Sequence, residues 1–329
     1  MEKQISELVA TAQHIVIVQA DNPDADSLGS ALALEHILGD LGKQVSLYCG
    51  VDVPSYLRYL SGWDRIQKDL PKQFDASIIV DASTYTLLEQ LQKTRQLAWL
   101  KAKPTIVVDH HKTVEKPLDF AVVSLIEPEA ASTGDIIFRL AIQAGWNLSA
   151  AAAENLMTSI LGDTQGLTNQ LTTATTYRTM AELTERGADR PKLEEARREA
   201  SKMLRQIYHY KGRLLQRTEF AHDGKIAYIT VPQDEINEYS PLYNPAALVQ
   251  FDMLQVQGVE MSIVFKTYDD GHLTGAIRSS KPVAAKLAES LGGGGHDFAS
   301  GFKTASNQDA ATVKASCLQT ATELLGPAT

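Results

Sequence analysis

Cysteine is nearly missing from this 329-residue chain, with Cys49 and Cys317 the only two. They stand far apart, without CxxC spacing or a cysteine–histidine ladder, which excludes a disulfide framework and a structural zinc knuckle. Both read as buried thiols. Long apolar runs are missing as well: no stretch approaches the ~18 residues of a membrane span. Residues 1–10 mix Glu2, Lys3 and Glu7 with apolar side chains instead of a basic and then apolar leader, so a cytoplasmic address is expected. Basic charge is short, 31 Lys and Arg against 40 Asp and Glu, for a net charge of -9. That balance argues against a surface built to hold long duplex DNA, yet it leaves room for a small anion in a local pocket. The length favours two domains.

What is present is an alternation of β-rich runs and helical periodicity, the pattern of βα units around a mostly parallel sheet. Strands are expected at 14–20, 44–49, 76–82, 105–109 and 120–126. Helices fit at 28–41, 84–97, 134–144 and 149–161, the last stopping at Gly162. Residues 188–218 carry nine basic and four acidic side chains and read as a helical linker. Beyond it, strands at 225–231, 260–268 and 273–279 and helices at 283–291 and 312–325 describe a smaller α/β domain. The expected fold class is α/β, with an N-terminal domain over 1–187, the linker over 188–218 and a second domain over 219–329.

The candidate chemistry sits at element ends. Asn22-Pro23-Asp24-Ala25-Asp26-Ser27 follows the first strand and opens a helix, where open α/β sheets place their ligands. Read alone, it suits a capped turn equally well. Two carboxylates one residue apart also suit a pair of hard cations. Asp109-His110-His111 ends a β-branched run and offers imidazole for a metal, imidazole for substrate and a carboxylate to fix a ring tautomer. Asp81 and Asp163 end a strand and a helix, and the four clusters together can meet at one sheet edge. Arg278-Ser279-Ser280 precedes a helix that leads into Gly292-Gly293-Gly294-Gly295-His296. We read this second set as an anion-binding loop, with glycines letting backbone amides approach phosphate oxygens. Arg278 supplies a planar cationic fork and His296 a further donor.

The ordered set PDxD, strand-end Asp, DHH, later Asp and distant GGGGH resembles the DHH phosphoesterase superfamily with its DHH-associated C-terminal domain. The resemblance runs over nearly the whole chain and is nearest to the bacterial oligoribonuclease and pAp-phosphatase branch, the nano-RNases. It implies a catalytic domain holding two manganese ions, with magnesium or another divalent metal as the alternative, a helical linker, a substrate-binding domain and an active site in the cleft between them. Carried over by motif, Asp24 binds the first metal, Asp26 the second, and Asp81 bridges them, with His110 and Asp163 completing the second site. His111, beside Asp109, contacts the reacting phosphate. Arg278, Ser279, Gly294, Gly295 and His296 hold the substrate's phosphate or nucleotide. The implied partner is short RNA or a dinucleotide, with pAp a further substrate and a homodimer allowed; long duplex DNA and membranes are not partners.

One position departs from the pattern. The family's metal-binding histidine, four residues before the first Asp of PDxD, is here Ala20. Gln19 and Asp21 flank it on the opposite strand face, and Asp21 is the favoured substitute, because a carboxylate suits manganese better than an amide. The segment 163–168 also lacks the aromatic and basic residues that often follow the family's DTG, while Ser132-Thr133-Gly134 matches the family and is expected to cap a helix. Two alternatives stay open: a cyclic-dinucleotide phosphodiesterase, and a nucleotide-binding protein whose catalysis is reduced or lost through Ala20.

Overall fold

The computed structural model describes residues 1–111, 116–240, 242–305 and 309–326, apart from the side chain of His296. It divides into two compact units, Met1–Lys202 and Met203–Thr329. The first runs α1 (Glu2–Thr11), β1 (His14–Val18), α2 (Ala25–Asp40), β2 (Gln44–Tyr48), β3 (Ala76–Val80), α3 (Glu89–Lys93), α4 (Leu97–Lys101), β4 (Thr105–Asp109), β5 (Val123–Ile126), α5 (Thr133–Ala144), α6 (Ala150–Asp163), α7 (Ala174–Glu185) and α8 (Arg190–Ala200).

All five strands of this unit are parallel, in the order β2-β1-β3-β4-β5. Their carboxyl ends therefore share one edge, and a residue just past any strand projects toward the same place. Alternation along each strand splits the core in two. Ile15, Ile17, Ile78, Val80, Ile106 and Val108 pack with α1, α2, α5 and α6, while Val16, Val18, Ile79 and Val107 pack with α3 and α4. Helix α2 is buried without a break from Asp26 to Leu34, because it is wedged between the sheet and α6 and has no solvent face over that length. Each fully buried Leu or Ile there contributes about 1.5–3 kcal/mol.

Three of the expected elements take a different form in the structure. Residues 84–97 hold no single helix: a 3-10 turn precedes α3, and Arg95, with φ of +62°, separates α3 from α4. An L-residue in the left-handed region cannot continue a right-handed helix. Helix α6 runs through Gly162 to Asp163, since Gly162 serves contact rather than termination. A Cβ on it would lie 2.7 Å from Ala25 Cβ, so the close approach of α6 to the start of α2 requires glycine. Residues 188–218 form two helices, α8 and α9 (Arg205–Gln216), parted at 201–204 and belonging to different units.

After α9 the second unit continues with β6 (Glu219–Ala221), β7 (Ile226–Val231), α10 (Gln233–Tyr239), α11 (Pro245–Leu254), β8 (Met261–Thr267), β9 (Leu273–Ser279), α12 (Ala284–Ser290), β10 (Gly294–His296), β11 (Ala299–Lys303) and α13 (Ala310–Leu325). Its sheet has the order β10-β11-β9-β8-β7-β6, antiparallel except where β7 meets β8. Helices α9 to α11 pack on one face and α12 and α13 on the other. Cys49 and Cys317 are free and fully buried, as their isolation in the sequence suggests. Among the described residues no helix is long and apolar enough to cross a membrane.

Candidate metal centre and anion-binding face

Four chain segments meet at the carboxyl edge of the first sheet. Asp26 enters on the first turn of α2, Asp81 directly follows β3, His110 follows β4, and Asp163 is the last residue of α6. His110 Nε2 lies 2.8 Å from Asp163 Oδ2, 3.6 Å from Asp26 Oδ2 and 3.7 Å from Asp81 Oδ1. Two sets of ligand atoms, Asp26/His110/Asp163 and Asp81/His110/His111, each fit within 4.8 Å. Asp81 reaches this point through a left-handed backbone, φ of +55°, that aspartate tolerates better than most residues.

Burial and like charge strain this cluster. Asp26 is fully buried and pushed up to about 6, by desolvation first and then by Asp163. Asp81 is held well above the carboxylate range by burial and by the fields of Asp26, Asp24, Asp163 and Asp109. Burial by itself depresses the His110 imidazole, but the hydrogen bond to Asp163 and the field of Asp26 overturn that and hold it up to about 9. Buried carboxylates of one sign call for a cation. The donors are carboxylate oxygens and imidazole nitrogens, with no thiolate, which suits manganese or magnesium. The residues fit a divalent metal.

A supporting ring holds the ligands. Asp26 Oδ2 accepts from Thr133 N at 2.8 Å, and Oδ1 accepts from the Ser159 hydroxyl at 2.5 Å, Ser30 at 3.1 Å and Gly134 N at 3.2 Å. The Thr133 hydroxyl donates to Asp81 Oδ1 at 3.2 Å. Ser132 caps α5, as expected, by accepting from Asp135 N. Its neighbours do more: Thr133 and Gly134 orient two candidate ligands, a role the Ser-Thr-Gly signal at a helix start hinted at without specifying. Ser159 had no signal, because it lies mid-helix in α6 and meets Asp26 only through the packing of α2 on α6.

Asp109, at the end of β4, is buried and turned to His111. Its Oδ1 lies 2.7 Å from His111 Nδ1 and accepts the His111 backbone N–H at 3.1 Å. Burial raises the Asp109 carboxyl, but the bonds from His111 and Ser83 outweigh it and bring it below its ordinary value. In return Asp109 raises the His111 imidazole. The His111 side chain stays 54% exposed, so its other edge faces solvent.

Two expectations around the first metal change. Asp24 stands outside both ligand sets and caps α2, its Oδ1 accepting from Ser27 N at 3.0 Å. Asp21, the favoured substitute for the missing histidine, is engaged elsewhere: its Oδ2 accepts from Gln90 N at 2.8 Å at the start of α3, and its other oxygen abuts Gly50. Ala20 packs in the apolar core beside Val16 and Val18. Gln19 is fully buried with neither amide atom hydrogen-bonded among the described residues.

In the second unit, Arg278 stands exposed on β9 opposite Ala299. Ser279 points the other way, buried, with its hydroxyl donating to Glu260 O and accepting from Lys281 N. The tetraglycine is not an open loop. Gly294 and Gly295 extend as β10 against β11, and a Cβ on Gly295, with φ of +142°, would lie 2.7 Å from Ser300 Cα. The His296 side chain lies outside the described residues.

The description "DHH family, N-terminal domain" matches residues 14–161, which span β1 through most of α6 and contain every ligand candidate except Asp163. The first unit carries a DHH-family domain. Beyond it the likeness continues over the chain. A bifunctional oligoribonuclease and PAP phosphatase, NrnA, of Thermus thermophilus is 27% identical over 296 residues, 89% of this chain and 85% of that one. A crystal structure of an exopolyphosphatase-related protein from Bacteroides fragilis shares the fold with a TM-score of 0.84 at 23% identity, covering 98% and 97% of the two chains. RecJ of Thermus thermophilus, crystallised with Mn2+, shares it more loosely, with a TM-score of 0.54 at 16% identity over 98% of this chain and 54% of that one. The DHH tripeptide itself is Asp109-His110-His111, the hinge between the ligand cluster and the exposed imidazole.

Proposed function

We propose that this protein is a metal-dependent phosphoric ester hydrolase of the cytoplasm that cleaves short linear oligonucleotides, with pAp as a further substrate. The observation that carries the reading is the convergence of Asp26, Asp81, Asp163 and His110 at the carboxyl edge, with His111 anchored beside them by Asp109. Those four residues would hold two divalent ions, preferably manganese. Bound there, the ions supply Lewis acidity and a nucleophilic water at neutral pH.

The chain's own residues do the rest. Asp109 accepts the Nδ1 proton of His111, which fixes the tautomer and turns the Nε2 edge outward. The raised affinity of that ring for a proton favours its use as a donor to an oxygen on the reacting phosphorus, where charge builds in the transition state. Thr133, Gly134 and Ser159 keep Asp26 from rotating and so preserve the ligand geometry between turnovers. On the second unit, Arg278 offers a free guanidinium fork to a terminal phosphate.

The test is turnover of pNpN, pAp and a cyclic dinucleotide by purified protein with manganese. The proposal expects hydrolysis of the linear substrates, lost with chelator and with Asp81→Ala. Hydrolysis of the cyclic substrate alone would make the protein a cyclic-dinucleotide phosphodiesterase, and binding without hydrolysis of any would leave a nucleotide-binding protein.

A further inference from the structure

On the second sheet, strand register sorts residues into cross-strand rows. Arg278 on β9 is paired with Ser262 on β8 and Ala299 on β11. Two residues along the same face, Ala276 is paired with Val264 and Gly301, and Gly301 with Gly294. Two residues further, Thr274 is paired with Lys266 on one side and Lys303 on the other. Side chains alternate across a sheet, so all of these rows share one face. It is the face on which Val264 and Ala276 meet α11, whose Gln250 donates to Ala276 O at 2.9 Å, while α11 makes no comparable packing on β11 or β10 among the described residues.

The outcome is a trough with cations at both ends and a floor nearly free of side chains. Arg278 makes no hydrogen bond or ion pair among the described residues. Lys266 is half-buried, and among the described residues its ammonium bonds only Asn244 Oδ1, at 3.2 Å. Burial lowers the proton affinity of that ammonium, the mark of a charge lacking its counter-ion. Lys303 is exposed and feels Asp270, whose carboxylate is already bonded by the His272 N–H and ring. A cavity of about 500 Å³ opens between Lys266, Lys303, Thr274, Asn244 and Gly293. Four residues of strand separate the Lys266/Lys303 row from Arg278, about 13 Å at ~3.3 Å per residue.

We propose that this trough binds the backbone of a linear oligonucleotide, with Lys266 and Lys303 clasping a phosphate about two nucleotide steps from the one held at Arg278. The inference rests on the oligonucleotide reading above and narrows it to chains longer than a dinucleotide. A backbone strung along cations over a flat floor is how single strands are held without reading sequence. Gly294, Gly301 and Ala276 lie under the middle of the path because the sugar-phosphate chain would collide with anything larger. Linear polyphosphate shares the chemistry, but its phosphates follow one another more closely and leave the bare middle row unexplained.

The experiment compares the full chain with Lys266→Ala/Lys303→Ala and Lys266→Arg/Lys303→Arg, with melting temperature as the check on folding. With manganese, kcat/KM is measured for 5′-phosphorylated oligoadenylates of two to five nucleotides. Fluorescence anisotropy of the same oligomers in chelator, with polyphosphate as competitor, reads binding without turnover. The proposal expects affinity and kcat/KM to rise about tenfold from dinucleotide to tetranucleotide, the size of one charge-assisted phosphate contact. The alanine pair should lose that rise and flatten the salt dependence while keeping the dinucleotide value, and the arginine pair should restore it. A wild type with no rise, an alanine pair that keeps it, or equal loss at every length overturns the proposal, as does a rise with polyphosphate alone. If nothing is hydrolysed but the length-dependent binding and its loss are seen, the trough stands and the hydrolase reading falls.

Discussion

At the carboxyl edge of the first sheet, acidic side chains are packed where water cannot reach them: Asp26 is 0% and Asp109 1% exposed, with Asp81 at 5% between them. On the second sheet the charges are cationic, set on β8, β9 and β11 and left exposed or half-buried beside glycine and alanine. The first arrangement is costly without a ligand, because buried like charges raise one another's pKa values. The second costs little, because solvent screens it. A site that must strip water from a compact divalent ion needs buried, rigid ligands, whereas one that receives a long flexible anion needs access. On the function proposed above, that difference suits the first unit to a metal ion and the second to a polyanionic substrate.

The largest expected effect breaks that contrast at its centre. Asp81→Asn keeps a side chain that tolerates the left-handed backbone and removes one of the crowded charges. Turnover should fall by at least ~10²–10³ and manganese stoichiometry should drop by elemental analysis. The metal-free protein should melt higher, by about 2–4 °C per kcal/mol gained. A variant that melts lower without metal would show that the cluster is not strained.

Next in size is Ser159→Ala, which strips the 2.5 Å bond to buried Asp26. It should cost about 1–3 kcal/mol in denaturant titration and about 10- to 100-fold in metal affinity. Unchanged affinity would mean that the backbone amides of Thr133 and Gly134 orient Asp26 unaided.

The pH dependence sharpens the comparison further. Asp26, at about 6, and His110, at about 9, both hold their protons more tightly folded than unfolded. The stability each contributes is full below its unfolded value, about 3.9 and 6.5, and is lost as pH rises through the folded one. The chelator-treated protein should therefore lose stability from about pH 4 to about pH 9. Manganese, which competes with those protons, should raise the melting temperature by more at the upper end. Scanning fluorimetry at several pH values with and without manganese checks it, and a metal shift that shrinks with rising pH would contradict it.

The smallest effect belongs to the second unit. Arg278→Ala should leave stability within about ±0.5 kcal/mol and metal stoichiometry unchanged, while weakening nucleotide binding. A large loss of stability would place Arg278 in a structural role.

Much of the candidate metal centre is legible in the amino-acid sequence. Asp26, Asp81, His110, Asp163 and the Asp109–His111 pair can be found together because each closes a strand or opens or ends a helix, and a parallel sheet sends all such ends to one edge. What misleads is local chemistry that tertiary contacts reassign. Asp21 has the chemistry of a ligand, but the amides of α3 take it. Gly162 has the character of a helix stop, but α2 presses against it and the helix continues. Ser279, next to an exposed Arg278, lies on the other face of its strand, where its hydroxyl serves the backbone. The four glycines suggest an anion-binding loop, and Gly294 and Gly295 pair with β11 as a hairpin, which needs close backbone approach as much as a phosphate loop does.

Periodicity and the residue types set at element boundaries are local properties, so the chain alone dictates the βα alternation, the division into a larger and a smaller α/β half and most of the candidate metal-centre residues. Packing in three dimensions settles the remainder: which oxygens face which histidine, that Ser159 and Thr133 brace the centre, and that Lys266 and Lys303 stand on either side of Thr274. Those facts depend on strand register and helix contact between segments distant in the chain, and no local pattern encodes a register.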